Sequence, residues 1–256
     1  MEQINLIGVY TMIRREVMRT FRVVVQTLVA PVISATLYIF IFGVVIGNNI
    51  KDIIGVPYIT FVFPGILMLS VINASFGSSS SSLYFARFTR SIEELLVAPL
   101  SYLEIIFGYM LGSMMRSFIV AGLIVLVGVL FGAVTLTSPI LFLLYIFGVA
   151  AIFSLLGMLV GLWAQSFEQL SVLNTFIITP LTYLGGIFYS ITMLPETAQL
   201  ITKLNPFFYF VDGIRHAMIG VSEANVLVGA AVILGLMFGL GSLVFYLFKI
   251  GWRVRV

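Results

Sequence analysis

The sequence predicts an all-α integral membrane protein, and three observations carry that prediction. Of the 256 residues, 61% are hydrophobic and only 9% charged, with a mean hydropathy of +1.18. A soluble domain carries about 25% charged residues, so the solvent for most of this surface must be lipid. The apolar residues also fall into six long runs, at 23–47, 56–84, 102–131, 139–165, 169–190 and 225–248, each near or above the roughly 20 residues that a helical span requires. Finally, the runs are continuous rather than alternating, which excludes transmembrane β-strands.

Taken in order, residues 1–22 read as a helix that is not a span. Leu6, Tyr10, Ile13, Val17 and Phe21 recur at helical spacing on one face, while Arg15, Arg19 and Arg22 lie opposite with Arg14 at the margin. An apolar face backed by a basic one is the pattern of a helix lying in the membrane interface. It serves either as a topology signal with a lipid anchor or as a helix that also touches a cytoplasmic partner. The run 23–47 is too long for a signal-peptide core of about 7–15 residues, and no small-residue cleavage site follows it, so it is read as a retained first span. The second span, 56–84, contains NASFGSSSSS at 73–82. Ser75, Ser78, Ser79 and Ser82 there either pack helices closely, with hydroxyls returned to i−4 carbonyls, or line a substrate path. Five consecutive serines cover every helix face, so at least one must pack.

The third span, 102–131, carries Arg116, which either snorkels toward the cytoplasm or faces the bundle interior and pairs with an acid. Spans four to six follow at 139–165, 169–190 and 225–248. Between the last two, residues 191–222 predict short, partly re-entrant helices that shape an outer gate; the plainer expectation is an aromatic-belted loop. Asn205 and Pro206 give an N-cap and first-turn pair. Asp212 and Arg215, three apart, can pair on one helix face, and Phe207, Phe208 and Tyr209 are expected at the lipid interface. Residues 249–256 form a tail. No repeat and no polar linker divides 23–248, which reads as one membrane domain.

Charge orients the chain. Arg14, Arg15, Arg19, Arg22, Arg87, Arg90, Lys249, Arg253 and Arg255 fall on one side, against Lys51, Lys203 and Arg215 on the other. The positive-inside rule then places both termini and the connection 85–101 in the cytoplasm. Ser91-Ile92-Glu93-Glu94, Ser101-Tyr102-Leu103-Glu104 and Ser166-Phe167-Glu168-Gln169 each fit a capping box at a helix start on that side, and Ser138-Pro139 starts the fourth span.

Several chemistries are excluded or disfavoured. There is no cysteine, hence no disulfide or thiolate site, and the single histidine, His216, disfavours a histidine-based metal site. A net charge of +3 is too small to suggest nucleic acid. A P-loop needs a Gly-Lys pair, yet Lys51, Lys203 and Lys249 follow Ile50, Thr202 and Phe248. The chain has no ATP-binding motif of its own, so any ATP it uses is bound by another chain.

The connection FARFTRSIEELLVAPLSYLEI, 85–105, carries five charges in a greasy chain. Its centre, about 87–100, predicts a short helix started at Ser91 and stopped by Pro99. Glu93 and Glu94 complement its positive end, and Ile92, Leu95, Leu96 and Val97 give an apolar patch suited to docking in a cleft of a soluble partner. Here the sequence resembles the membrane subunits of type-2 ABC exporters, among them the drug and nodulation-factor permeases. Their loop after span 2 reads R-x-x-G-T-x-E-x-L-L-x-x-P-x-S-x-x-E. This chain has Arg87, Glu93, Leu95, Leu96, Pro99, Ser101, Glu104 and, further on, Gly108, with Arg90-Ser91 in place of the Gly-Thr. The stretch LNPFFYFVDGIRHAMIG is similar to the family's N-P-x-x-Y-x-x-D-x-x-R, through Asn205, Pro206, Tyr209, Asp212 and Arg215. YLGGIFYSITMLP, 183–195, resembles the glycine-rich end of its span 5.

The resemblance implies that the loop helix is a coupling helix, with Arg87, Arg90, Glu93, Glu94, Leu95, Leu96 and Pro99 at the docking site of a separate ATPase. It implies a working unit of two permease copies and two ATP-binding subunits in the bacterial inner membrane, with ATP and magnesium on the ATPase and no cofactor on this chain. An amphipathic or lipid-like substrate suits an apolar, aromatic path. The competing readings are an intramembrane serine protease using His216 and a passive channel.

Overall fold

A computed structural model describes residues 5–47, 50 and 52–253. Lys51 and Arg255 of the charge count, residues 1–4 of the N-terminal helix and the last three of the tail lie outside the described residues. Helices dominate: α1 (Leu6–Arg22), α2 (Val25–Ile46), α3 (Tyr58–Phe88), α4 (Ser91–Val97), α5 (Tyr102–Leu130), α6 (Pro139–Trp163), α7 (167–183), α8 (Glu196–Leu204), α9 (Pro206–Ile219) and α10 (Val226–Ile250). A two-stranded antiparallel hairpin pairs Asp52 with Pro57 and Ile53 with Val56. Its turn residues Ile54 and Gly55 both have positive φ, 50° and 76°, as a two-residue hairpin turn of primed type requires.

Five helices, α2, α3, α5, α6 and α10, are long and apolar enough to cross a membrane. The expected fifth span, 169–190, is shorter than predicted. The helix of α7 ends at Tyr183 and is about 25 Å long at 1.5 Å per residue. Leu184–Gly186 then turn, Gly186 at φ 82°, because a glycine pair accepts the left-handed backbone that stops a helix. Two prolines also leave a mark. Pro31 and Pro180 have no N–H to donate, and each is preceded by a π-helical turn, Val25–Val29 and Asn174–Ile178, the wider turn that absorbs such an interruption.

Central helix α3 is the most buried, with 83% of its apolar window enclosed against 11% for α2 and α10. Hydropathy does not explain how neighbours come so close; small residues do. Gly157 and Gly161 of α6 form a G-x-x-x-G pair. A Cβ on Gly157 would stand 2.6 Å from the Phe76 carbonyl oxygen, and one on Gly161 2.8 Å from that of Ser80. Backbones meeting over small residues drive helix association in lipid, where burial alone gives little. A second pair, Gly108 and Gly112 of α5, seats α1. A Cβ there would come within 2.8 Å of Met12 Cβ and 2.5 Å of Glu16 Cβ. Two successive turns of α1 therefore register on two of α5.

Candidate functional site

The short helix α4 is held by its neighbours on three sides. Helix α3 runs past its expected end at 84 to Phe88, so Arg87 lies in the last turn of α3 and not in the short helix α4. Its guanidinium turns inward, Nε donating to the Arg253 carbonyl at 2.7 Å and Nη1 to those of Gly161 and Ala164 at 2.8 and 3.2 Å. The N-cap of α4 is Arg90, not Ser91. Arg90 takes the left-handed conformation, φ 58°, at the position where the resembled family has glycine, and Ser91 is already helical, its hydroxyl 3.1 Å from that of Thr89. Ile92 is buried and anchors α4 to the core, so the expected apolar patch divides. Leu95 and Leu96 are half-buried, while Glu93, Glu94, Val97 and Pro99 are exposed.

The far end of α4 is fixed by the Ser101 capping box, present as predicted. The Glu104 N–H donates to Ser101 Oγ at 3.3 Å, and Glu104 Oε2 accepts from the Ser101 N–H at 2.6 Å. The other capping boxes differ. Ser166 stands at its N-cap without a side-chain cap bond, and Gln169 accepts instead from the Gln165 N–H at 2.8 Å.

Helix α1 completes this face. Glu104 Oε1 accepts from the Asn5 N–H, Asn5 Nδ2 donates to the Pro99 carbonyl at 3.3 Å, and Asn5 Oδ1 caps α1 at the Gly8 N–H. A groove of about 270 Å³ lies between α1 and the end of α4, lined by Thr11, Arg15, Leu95 and Pro99 among others. The apolar residues Leu6, Tyr10 and Phe21 are exposed, as a lipid-facing side requires. Helix α1 has a third face that charge patterning did not reveal: Met12, Glu16 and Thr20, buried against α5 and α3.

Glu16 is the centre of that face, at 3% exposure. It accepts from Ser82 Oγ at 2.6 Å and faces Arg19 Nε at 3.3 Å and Arg15 Nη2 at 3.5 Å. Arg15 reaches Tyr109 Oη at 3.2 Å, and Arg19 the Ser78 carbonyl at 2.9 Å. Burial works against the Arg15 charge, but the Tyr109 phenol and Glu16 carboxylate outweigh it, so its pKa lies above the ordinary arginine value. Arg14 and Arg22 stay exposed and line, with Arg15 and Arg19, a groove of about 420 Å³. Sequence alone marks Glu16 only as an acid inside a basic run, between Arg15 and Arg19.

The serine run is taken up by these contacts. Ser82 and Ser78 meet α1, Ser79 Oγ donates to the Ser154 carbonyl of α6 at 2.6 Å, and Ser75 returns its hydroxyl to Val71 at 2.7 Å. Arg116 has no hydrogen-bond or ion-pair partner among the described residues, and its Nε is buried. It lines a polar cleft of about 450 Å³ between α2, α3, α5 and α7.

Between α7 and α10 the short helices α8 and α9 occur within the expected segment 191–222. Asn205 caps α9, accepting from the Phe207 N–H at 3.1 Å, and ties it to α7 through the Leu181 carbonyl at 2.7 Å. Tyr209 donates to the Lys203 carbonyl at 3.0 Å. Phe207 and Phe208 are not at the lipid interface. Both are buried, Phe207 against Phe153 and Phe210, because α9 is packed inward and α8 takes the exposed position with Leu200, Ile201 and Leu204. The Asp212–Arg215 pair is long, 4.0 Å. Each makes closer bonds elsewhere: Asp212 accepts from the Glu223 and Ala224 N–H groups at 2.9 Å, and Arg215 meets Glu223 at 3.4 Å and the Gly186 carbonyl at 2.5 Å, under the Phe61 ring. Glu223, a partner no motif named, also takes the Ser190 hydroxyl.

A bundle of long apolar helices, with a short helix held between the second and third of them, now stands beside a comparison of sequence. Residues 8–219 match the family model described as ABC-2 type transporter. The chain belongs to the ABC-2 type transporter family. It is 42% identical over 209 residues to the inner membrane transport permease YadH of Escherichia coli strain K12, covering 82% of each. It is 29% identical to nodulation protein J of Neorhizobium galegae over 215 residues and 26% to that of Rhizobium meliloti strain 1021 over 212, each covering 81% of this chain and 79% of the relative. As an ABC-2 family membrane chain it is a multi-pass transport component, and the ATP-binding subunit is a separate protein.

Proposed function

We propose that this chain is the permease subunit of an ATP-driven exporter that moves an amphipathic or lipid-like substrate outward. It works as a homodimer with two ATP-binding subunits in the bacterial inner membrane, both termini cytoplasmic. The observation that carries this reading is the seating of α4. It is rooted by Ile92, pinned at one end by the Arg87 contacts and at the other by Ser101 and Glu104, and presents Glu93, Glu94, Val97 and Pro99 outward. A rigidly rooted helix with exposed charge can pass a push from a soluble partner into α3 and α5; a slack connector cannot. The YadH relative is an inner membrane transport permease, which supports the membrane and a transport role; the export direction rests on the resemblance to type-2 ABC exporters. Helices α8 and α9 form the outer gate, re-entering the membrane from outside, and α7 is the sixth span. The protease reading finds no support: His216 Nδ1 is buried with no hydrogen-bond partner, whereas a Ser–His unit needs one.

The test is the double charge reversal Glu93→Lys/Glu94→Lys in full-length chain co-expressed with its ATP-binding subunit. Both side chains are exposed and make no ion pair among the described residues, so membrane insertion and thermal unfolding should stay as in the parent chain. Co-purification of the ATPase and ATP-dependent transport should be lost. Transport at the parental rate would remove α4 as the docking element.

A further inference from the structure

We propose that Arg116 is an anion-binding residue, and that the cleft it lines takes an amphiphile carrying an oxyanion group such as a phosphate. This rests on the transport reading above and names the substrate's charge. Arg116 stands midway along α5, one turn beyond Gly112, where Glu16 of α1 packs, and its Nε is buried inside the bundle. An intramembrane cation of this kind faces a partner or a polar cavity. It has no acceptor among the described residues, and its charged neighbour, Arg19, has the same sign.

No acid among the described residues supplies the counter-charge. None lies in α2, α3, α6 or α10, α5 has only Glu104, in its first turn, and α7 only Glu168, exposed in its own first turn. Glu104 is held by Ser101 and Asn5, and Glu16 by Ser82, Arg15 and Arg19. The charge is therefore left for a ligand.

The cleft has the form for one. It runs along α2 from Gln26 to Tyr38, about 18 Å, and measures about 450 Å³. Asn73 of α3 and Asn174 of α7 line it with Arg116, and Asn174 Oδ1 is buried without a partner, leaving it free for a donor on the ligand. At the end away from Gln26 the Tyr38 and Tyr183 hydroxyls meet at 3.2 Å. A cation with carboxamides in one wall suits an oxyanion bearing hydroxyl or amide groups, and the length accommodates an extended molecule.

The test uses full-length chain in phosphatidylcholine nanodiscs, with saturable binding measured for dodecyl phosphate, dodecyl-trimethylammonium and inorganic phosphate. Dodecyl phosphate should bind at least tenfold more tightly than the ammonium amphiphile. Arg116→Gln should erase that preference and Arg116→Lys should keep part of it. Competition by millimolar inorganic phosphate would show that the site reads the bare anion; no competition would show that it reads an anionic lipid-like headgroup, and either supports the site. Equal binding of the two amphiphiles by the unmodified chain overturns it and needs no variant to fold. A chain that recruits its ATPase and transports, yet binds both amphiphiles equally, refutes this inference and spares the transport reading. Phosphate-selective binding without ATPase recruitment does the reverse.

Discussion

Glu16→Gln separates charge from shape at the point where α1 joins the bundle. The glutamine fills the same volume against Gly112, so packing is kept. What is lost is the carboxylate that accepts from Ser82 at 2.6 Å and faces two arginines. A hydrogen bond to a charged group contributes about 1.5–3 kcal/mol. The Arg19 and Arg15 side chains are 34% and 44% exposed, so solvent screens those pairs to roughly 0.5 kcal/mol each. The expected loss is then about 2–4 kcal/mol. For a chain of this size that corresponds to a fall in Tm of roughly 5–15 °C, read by thermal unfolding of purified full-length chain in detergent. Ser82→Ala supplies the control through a double-mutant cycle: with Glu16 already neutral, its cost should fall by about 1 kcal/mol or more. An unchanged Tm for Glu16→Gln, or strictly additive losses, would refute the claim that α1 is locked by this buried carboxylate.

Other outcomes follow from the same geometry. Gly112→Val should detach α1 and reduce folded yield sharply, since even a Cβ would lie 2.5 Å from Glu16 Cβ, whereas Gly122→Ala in the same helix meets nothing within 4 Å and should gain about 0.5–1 kcal/mol; paired melting curves decide. Arg90→Gly should raise stability by about 1 kcal/mol by relieving a left-handed arginine at φ 58°, and equal or lower stability would mean that the Arg90 side chain contributes more than its backbone costs. Arg215→Met leaves the Glu223 carboxylate without its ion-pair partner and should cost about 3–5 kcal/mol, seen as early unfolding and as protease cleavage in the outer segment 184–225. Retained stability there would show that the outer network is dispensable.

Composition and run length by themselves determined that this is a helical membrane protein, because apolar surface in such excess has only one solvent. Local chemistry was equally legible where partners are neighbours in sequence. The Ser101–Glu104 box and the Asn205 cap need no more than three residues' spacing to form, and the short helix α4 announced itself as charge in a greasy chain. Tertiary structure decided whatever depends on partners distant in sequence. Glu16 reads as one more charge until Ser82, 66 positions away, bonds to it. The glycine pairs of α5 and α6 carry no hydropathy signal, yet they set how closely helices approach. Arg87 and Phe208 face inward, against expectation, since periodicity gives a face and not what covers it. The sequence placed Arg116 within a span. Only the packed bundle shows that it lines a cleft and that no acid among the described residues pairs with it, because charge pairing is a matter of distance in space.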